Sequence, residues 1–190
     1  MILFLSGGTG TPKLLQGAMR VLKEENIAVI VNTAEDVIVL NQYVSPDIDT
    51  VLYTFSGKID EERWYGVKGD SFITHEALFS LGVKEILKIG DIDRAVKIQK
   101  TILLSELSLS EAVEFQRKAM GIRAKIIPMS NDAVKTKIVT ENGEMTYHEF
   151  WVENRGRPRV LDIYFEGINS AKAPEEAISC IKNAEKIVIG

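Results

Sequence analysis

Met1-Ile2-Leu3-Phe4-Leu5 runs directly into Ser6-Gly7-Gly8-Thr9-Gly10-Thr11-Pro12-Lys13-Leu14, and no other stretch constrains the fold of this chain as tightly. A short apolar run broken by glycines reads as a buried strand. Pro12 then stands where the first turn of a helix begins, a position that tolerates its missing N–H. Strand, glycine turn and helix start together aim free backbone N–H groups and a positive helix end at one point. That arrangement binds an anion, most often a phosphate. Lys13 adds a mobile positive charge at the same spot. The spacing is not that of the commoner cradles: Lys13 stands where a dinucleotide fingerprint has its third glycine, and Pro12-Lys13-Leu14 replaces the Gly-Lys-Ser/Thr of a Walker A loop. The same glycines would also serve a strand-to-helix turn that binds nothing; the lysine beside them favours phosphate.

At 190 residues the chain suits a single α/β domain spanning 1–190 and can bury a sizeable core. A net charge of −4 argues against a nucleic-acid surface, which is usually basic. No apolar stretch approaches the roughly 18–20 residues of a membrane span, and the N-terminal run lacks the basic flank and cleavage site of a signal peptide. Cys180 is the single cysteine, which fits a reducing cytoplasm, and its place between Ile178 and Ile181 reads as buried filler. His75 and His148 have no metal-ligand spacing, so neither a zinc site nor a Ser-His-Asp triad is expected.

Strand and helix patterns alternate. After the first strand, a helix is predicted from Lys13 to about Lys23, a strand at Ala28–Val31, and helices at Asp49–Phe55 and Ser71–Leu81. A third strand is predicted at Glu85–Ile89, then helices over Ile92–Leu104 and from a capping box, Ser108 with Glu111, to Gly121. Strands follow at Lys125–Met129, Thr136–Thr140 and Glu144–Thr146, the last two flanking the hairpin signal Asn142-Gly143. Arg159–Phe165 reads as another strand, Pro174 opens a helix through Cys180, and Lys186–Ile189 is again a buried strand. This order predicts a Rossmann-like, doubly wound, mainly parallel sheet. The hairpin excursion, about 125–165, is most simply an antiparallel addition at one edge. Gly190 falls where such sheets begin a ligand-binding loop, so a further C-terminal portion is expected to be missing.

Acidic groups gather just beyond the strand ends. Asn32, Glu35 and Asp36 follow the second strand, and Ser45-Pro46-Asp47-Ile48-Asp49 comes soon after. Strand ends converge on one crevice, so Asp36 and Asp49 are placed to face the phosphate held by the glycine loop. Two carboxylates beside phosphates are a usual way to hold Mg²⁺. Equally, Ser45 and Asp47 would cap a helix, with Asp36 in solvent. Asp91 and Asp93 suit the start of the next helix, Lys88 stands at a strand end, and Trp64-Tyr65 in an irregular segment offers a surface on which a planar ring could stack.

With these pieces the chain resembles the 2-phospho-L-lactate transferase family of coenzyme F420 biosynthesis. The resemblance rests on Ser6 to Leu14, Val31-Asn32-Thr33-Ala34-Glu35-Asp36, Ser45 to Tyr53, Trp64 to Asp70, Ile89 to Arg94, Pro128 to Asp132, Tyr147 to Val152 and Phe165-Glu166-Gly167, in order along the whole chain. It implies transfer of a phospholactyl or phosphoenolpyruvyl group from a guanosine-diphosphate-linked donor to the deazaflavin Fo, with GMP leaving and Mg²⁺ required. It further implies that Asp49, assisted by Asp36, positions metal and acceptor, that Lys88 contacts the deazaflavin, and that Gly7, Gly8, Thr9, Gly10, Lys13, Asn32 and Trp64 contribute to substrate binding. The expected partners are small molecules, in the cytoplasm, with no nucleic acid or membrane; a homodimer is left open. The alternative is a nucleotide-sugar-binding regulatory protein of a related branch that shares the glycine loop. Family members continue for roughly a hundred residues more, a domain-scale segment, beginning with a Pro-Ser-Asn-Pro loop that helps enclose the nucleotide. Thr11-Pro12 departs from the Gly-Ala of many relatives.

Overall fold

The structure, a computed structural model, describes residues 1–8 and 10–190. Its centre is a four-stranded, all-parallel sheet in the order β5-β2-β1-β9, made of β1 (Ile2–Ser6), β2 (Ile27–Val31), β5 (Lys125–Pro128) and β9 (Lys186–Ile189). Register is set residue by residue: Ile2 lies opposite both Ile27 and Lys186, and Ala28 opposite Lys125. Both faces of the inner strands are apolar, as a sheet covered on two sides requires. Phe4, Val29, Val31 and Ile126 pack on one face against Leu15 of α1 (Gly10–Ala18), Ile48, Val51 and Leu52 of α2 (Pro46–Phe55), and Leu109 and Val113 of α5 (Leu109–Ala119). On the other face Leu3, Ala28, Ile30 and Ile127 meet Ala177 and Cys180 of α6 (Glu175–Asn183). Each buried Val, Leu, Ile or Phe among them contributes roughly 1.5–3 kcal/mol, so these two layers hold the strand ends in place. The doubly wound α/β reading is met.

Three elements depart from expectation. Glu85–Ile89 forms no strand: it is irregular chain between α3 (Ile73–Ser80) and α4 (Asp91–Leu103). Glu85 is drawn aside by a bidentate pair with Arg94 (2.9 and 2.8 Å) and by His75 Nδ1 (2.7 Å), and a strand needs a free neighbouring edge that this segment never reaches. A short hairpin, β3 (Val37–Val39) with β4 (Gln42–Val44), lies where no strand was expected, turning on Leu40 and Asn41, both at positive φ. The excursion is not an edge addition either. β6 (Lys135–Thr140), β7 (Gly143–Thr146) and β8 (Val160–Glu166) form a separate antiparallel sheet in the order β7-β6-β8. That sheet is tied to the end of β2 by Thr136 N–H donating to the Ala34 carbonyl (2.9 Å).

Helix boundaries follow the local chemistry. The Ser108–Glu111 capping box opens α5 as expected. α2 starts three residues earlier than predicted, with Pro46 in its first turn. α1 stops at Ala18, short of Lys23.

Candidate active site

Going outward from β1 the chain runs to β2 and then β5 on one side, whereas β9 lies on the other. The strand order therefore reverses beside β1, and the carboxyl end of such a reversal is where open α/β sheets bind ligands. Gly7 and Gly8 stand at that point. A Cβ on Gly7 would lie 3.6 Å from Asp47 Oδ2 and 3.9 Å from Asn32 Cβ, so the loop passes directly over the start of α2. Gly8 has φ +23° and open space around it. Gly10 opens α1, whose first turn carries Lys13. Thr9 lies outside the described residues.

An acidic chain leads away from the loop. Asn32 Nδ2 donates to Asp47 Oδ2 (3.0 Å) and to Glu35 Oε2, so a single amide joins two carboxylates. Thr136 Oγ1 donates to Glu35 Oε1 (2.8 Å), and His148 Nε2 donates to the Glu35 carbonyl (2.7 Å). Burial raises the pKa of both Glu35 and Asp47, and their mutual repulsion adds to the rise at Glu35. Asp47, Glu35, Thr136 and His148 were absent from the residues expected at the site. The one available signal was Ser45-Pro46-Asp47, which brings a carboxylate into the first turn of a helix aimed at the loop.

Asp36 is not solvated. Burial pushes its carboxyl up to about 8, against the opposing pull of Lys100 and of hydrogen bonds from Ser45 and Tyr43. Ser45 Oγ and the Tyr43 hydroxyl both donate to Oδ2 (3.0 Å each), so Ser45 makes no side-chain cap on α2, while Oδ1 is buried without a partner.

Asp49, in the same first turn of α2 as Asp47, is 2% exposed and pairs with α4. Its Oδ1 accepts from Lys100 Nζ, and Lys97 Nζ lies 3.2 Å from Oδ2. Lys97 also pairs with Asp93, which accepts from the Tyr53 hydroxyl (2.6 Å). Burial alone would raise the Asp49 pKa, but the two ammonium groups hold it below the ordinary value. Asp93, Lys97 and Lys100 fall at i, i+4 and i+7, one inward stripe of α4. That periodicity was visible in the sequence, but its partner Asp49 lies about fifty residues away.

These surroundings do not fit Asp49 as a metal ligand, since a divalent cation there would face two buried ammonium groups. Nor do Asp36 and Asp49 present a shared open site. Among the described residues no cluster of three or more His, Cys, Asp or Glu side chains could hold a metal ion. Asp47 differs. It lies beside the glycine loop with no lysine or arginine paired to it among the described residues, and Mg²⁺ needs only one or two protein carboxylates when phosphates supply the rest.

The expected basic residues each stand over an aromatic ring. Lys13 Nζ stands 5.2 Å from the Trp64 ring centroid, and Lys88 Nζ stands 4.3 Å from that of Phe72, both within cation–π range. Trp64 adopts φ +61° and packs against the Tyr53, Ile59 and Val67 cluster. The structure thus joins Lys13 to Trp64, and Gly7 to Asn32, but keeps Lys88 on a separate aromatic support.

A family model described as 2-phospho-L-lactate transferase CofD matches residues 2–190. The chain belongs to this family. It is 53% identical over 190 residues to a 2-phospho-L-lactate transferase of Methanothermobacter thermautotrophicus and 51% identical over 195 residues to one of Methanocaldococcus jannaschii. All of this chain is covered in both, against 61% and 63% of those proteins, so it spans about three fifths of their length. Among solved structures, a UPF0052-family protein from Bacillus halodurans matches with TM-score 0.64 at 19% identity, covering 100% of this chain and 58% of the other, a likeness of fold. The family match extends across the β6-β7-β8 sheet, so the separate antiparallel layer falls within the family's own bounds.

Proposed function

We propose that this chain carries the Rossmann-like part of a transferase that moves a 2-phospholactyl or phosphoenolpyruvyl group from a guanosine-diphosphate-linked donor to the hydroxyl of a deazaflavin, Fo, releasing GMP. The carrying observation is the glycine loop at the strand-order reversal, with Asp47 and Asn32 directly against it. The names of the relatives at about half identity point the same way.

In this reaction the acceptor hydroxyl oxygen attacks the phosphorus that bears the organic acid. A new P–O bond forms, the anhydride bond to GMP breaks, and the hydroxyl proton passes to a base. Most of the protein's work is orientation and charge neutralisation. Backbone N–H groups of the glycine loop and the start of α1, with Lys13, meet the phosphoryl oxygens. Asp36 suits the base in its ionised form, which prevails only as pH rises past about 8. Asp49 acts as a positioning residue: its pairs with Lys97 and Lys100 pin α2, which carries Asp47, onto α4. Mg²⁺, when bound, supplies positive charge at the diphosphate; Asp47 would hold it, with Glu35 behind.

The substrates are small molecules and the setting is the cytoplasm; no described helix is long and apolar enough to cross a membrane. The experiment is a titration of the chain with Fo followed by deazaflavin fluorescence, with donor-dependent GMP release as the second readout. Saturable binding and release support the proposal; a folded protein that binds no Fo overturns it.

A further inference from the structure

β6 starts beside β2, where Thr136 N–H donates to the Ala34 carbonyl, and ends away from it in the Glu141–Asn142 turn. There it meets the turn that precedes β8, and the two flank a cavity of about 420 Å³, within the size range of small-molecule sites. Its lining is Glu141, Asn142, Glu153, Asn154, Arg155 and Arg157, with Pro158 buried at the wall. The turn before β8 is held by its own backbone. Asn154 N–H and Nδ2 donate to the Glu149 carbonyl (3.0 and 2.9 Å), Gly156 N–H to that of Phe150 (2.8 Å), and Arg157 N–H to that of Asn154 (3.1 Å). Arg155 (φ +55°) and Gly156 (φ +64°) are both left-handed. A Cβ on Gly156 would lie 3.0 Å from the Trp151 ring, so glycine lets that ring close on the turn. Glu141 is fixed as well: its N–H donates to the Arg159 carbonyl (3.3 Å), and its Oε1 accepts from Arg159 N–H (3.4 Å).

Charges of both signs line this space without pairing across it. Every arginine–carboxylate pair among the described residues is made by Arg63, Arg94, Arg117 or Arg123, so Arg155 and Arg157 keep their guanidinium groups free. Glu153 likewise enters no ion pair among the described residues. A guanidinium offers a planar fork of donors that matches a phosphate, whereas a carboxylate only accepts. A bare inorganic anion there would face Glu141 and Glu153, and a bare cation would face the two arginines. The lining therefore suits a ligand that is anionic at one end and carries N–H donors at the other. Guanine presents a ring N–H and an amine side by side, the two donors that one carboxylate accepts together; adenine puts an acceptor at the ring position, which a carboxylate repels.

We propose that this distal cavity is a second nucleotide site, separate from the glycine loop, which takes a guanine nucleoside phosphate: Arg155 and Arg157 hold the phosphate, and Glu153 accepts from the base. None of its residues belongs to the glycine loop or to the acidic chain behind it, so the site stands or falls apart from the transferase reading. The test is a titration of the whole chain with GMP, followed at the backbone amides of residues 141–142 and 153–157 and, as a separate group, of residues 6–8 and 10–13. Saturable shifts are expected in the first group. Arg157→Ala and Glu153→Gln, both at exposed positions, should each raise the Kd read there by about tenfold or more, the scale of one lost charge-assisted contact. Melting temperature and the shifts of residues 6–8 and 10–13 should stay as in the wild type. AMP should bind the first group about tenfold more weakly than GMP, for want of the paired donors. Shifts confined to residues 6–8 and 10–13, an unchanged Kd in Arg157→Ala, or equal binding of AMP overturns the proposal. Saturable, Arg157-dependent shifts in the first group with none at residues 6–8 and 10–13 uphold this site and count instead against the phosphate role of the glycine loop.

Discussion

Asp70 and Asp91 cap each other's helices. Asp70 Oδ1 and Oδ2 accept from the N–H groups of Ile92 and Asp93 (2.9 Å each) at the start of α4. Asp91, the first residue of α4, accepts from Ser71 Oγ (2.6 Å) and from the N–H groups of Ile73 and Thr74 (2.9 Å each) at the start of α3. Hydrogen bonds from Ser71 and Thr74 hold the Asp91 carboxyl well below the ordinary carboxylate range. The exchange ties the starts of α3 and α4 together where the irregular segment carrying Lys88 enters α4.

Gly90 is the space in which this exchange occurs, since a Cβ there would lie 2.2 Å from Asp70 Oδ2. Gly90→Ala should displace the Asp70 carboxylate and cost about 1–2 kcal/mol, the scale of a lost helix cap. Asp70→Ala should cost a similar amount, and the double variant little more than either. Urea unfolding midpoints of the three proteins check this; additive losses would show that the two residues act separately.

Asp49→Asn should destabilise the protein strongly, because it leaves Lys97 and Lys100 buried with Asp93 as the one remaining carboxylate paired to them. Breaking a buried ion pair from one side costs about 3–5 kcal/mol. A substrate or metal role alone would leave the melting temperature near that of the wild type and abolish turnover, so measuring both quantities decides between the two.

Asp36 predicts an unusual pH dependence. Its folded pKa of about 8 lies above the ordinary 3.8, so between those values the folded protein holds a proton that the unfolded chain has lost. The stabilisation is complete below about pH 4 and is lost as pH rises through about 8, at up to roughly 1.4 kcal/mol per pH unit. Asp36→Asn removes this slope. Its unfolding midpoint, compared with wild type at pH 5 and pH 8, should move from equal or lower to clearly higher. Parallel stability curves for the two proteins would contradict the assignment.

Gly8→Val should fold but lose anions. Space around Gly8 is open, yet φ +23° is poorly suited to a β-branched residue, so a cost of about 1–2 kcal/mol is expected. Thermal protection by pyrophosphate or GDP should fall at least tenfold in concentration dependence. Undiminished protection would remove the phosphate role from the loop.

The sequence alone determined those parts whose causes are local. Leu3 and Phe4 supply apolar side chains to opposite faces of β1 because neighbouring strand residues must alternate. Ser108 and Glu111 cap α5 within one turn, and the hairpin predicted at Asn142-Gly143 forms one residue earlier, with Glu141 and Asn142 as its turn and Gly143, at positive φ, opening β7. The glycine loop was legible for the same reason, since strand, turn and helix start are contiguous. The tertiary structure decided whatever depends on a distant partner. Glu85–Ile89 has the composition of a strand but finds no edge to pair with. Asp49 looks like an exposed helix-start carboxylate until α4 brings Lys97 and Lys100 against it. Asp47 becomes the carboxylate beside the loop only when α2 docks under Gly7, and the distal cavity exists only where the turn after β6 meets the turn before β8. Side-chain charge is written in the sequence, but whether it is neutralised, buried or left facing a ligand depends on contacts made by chain folding across many residues.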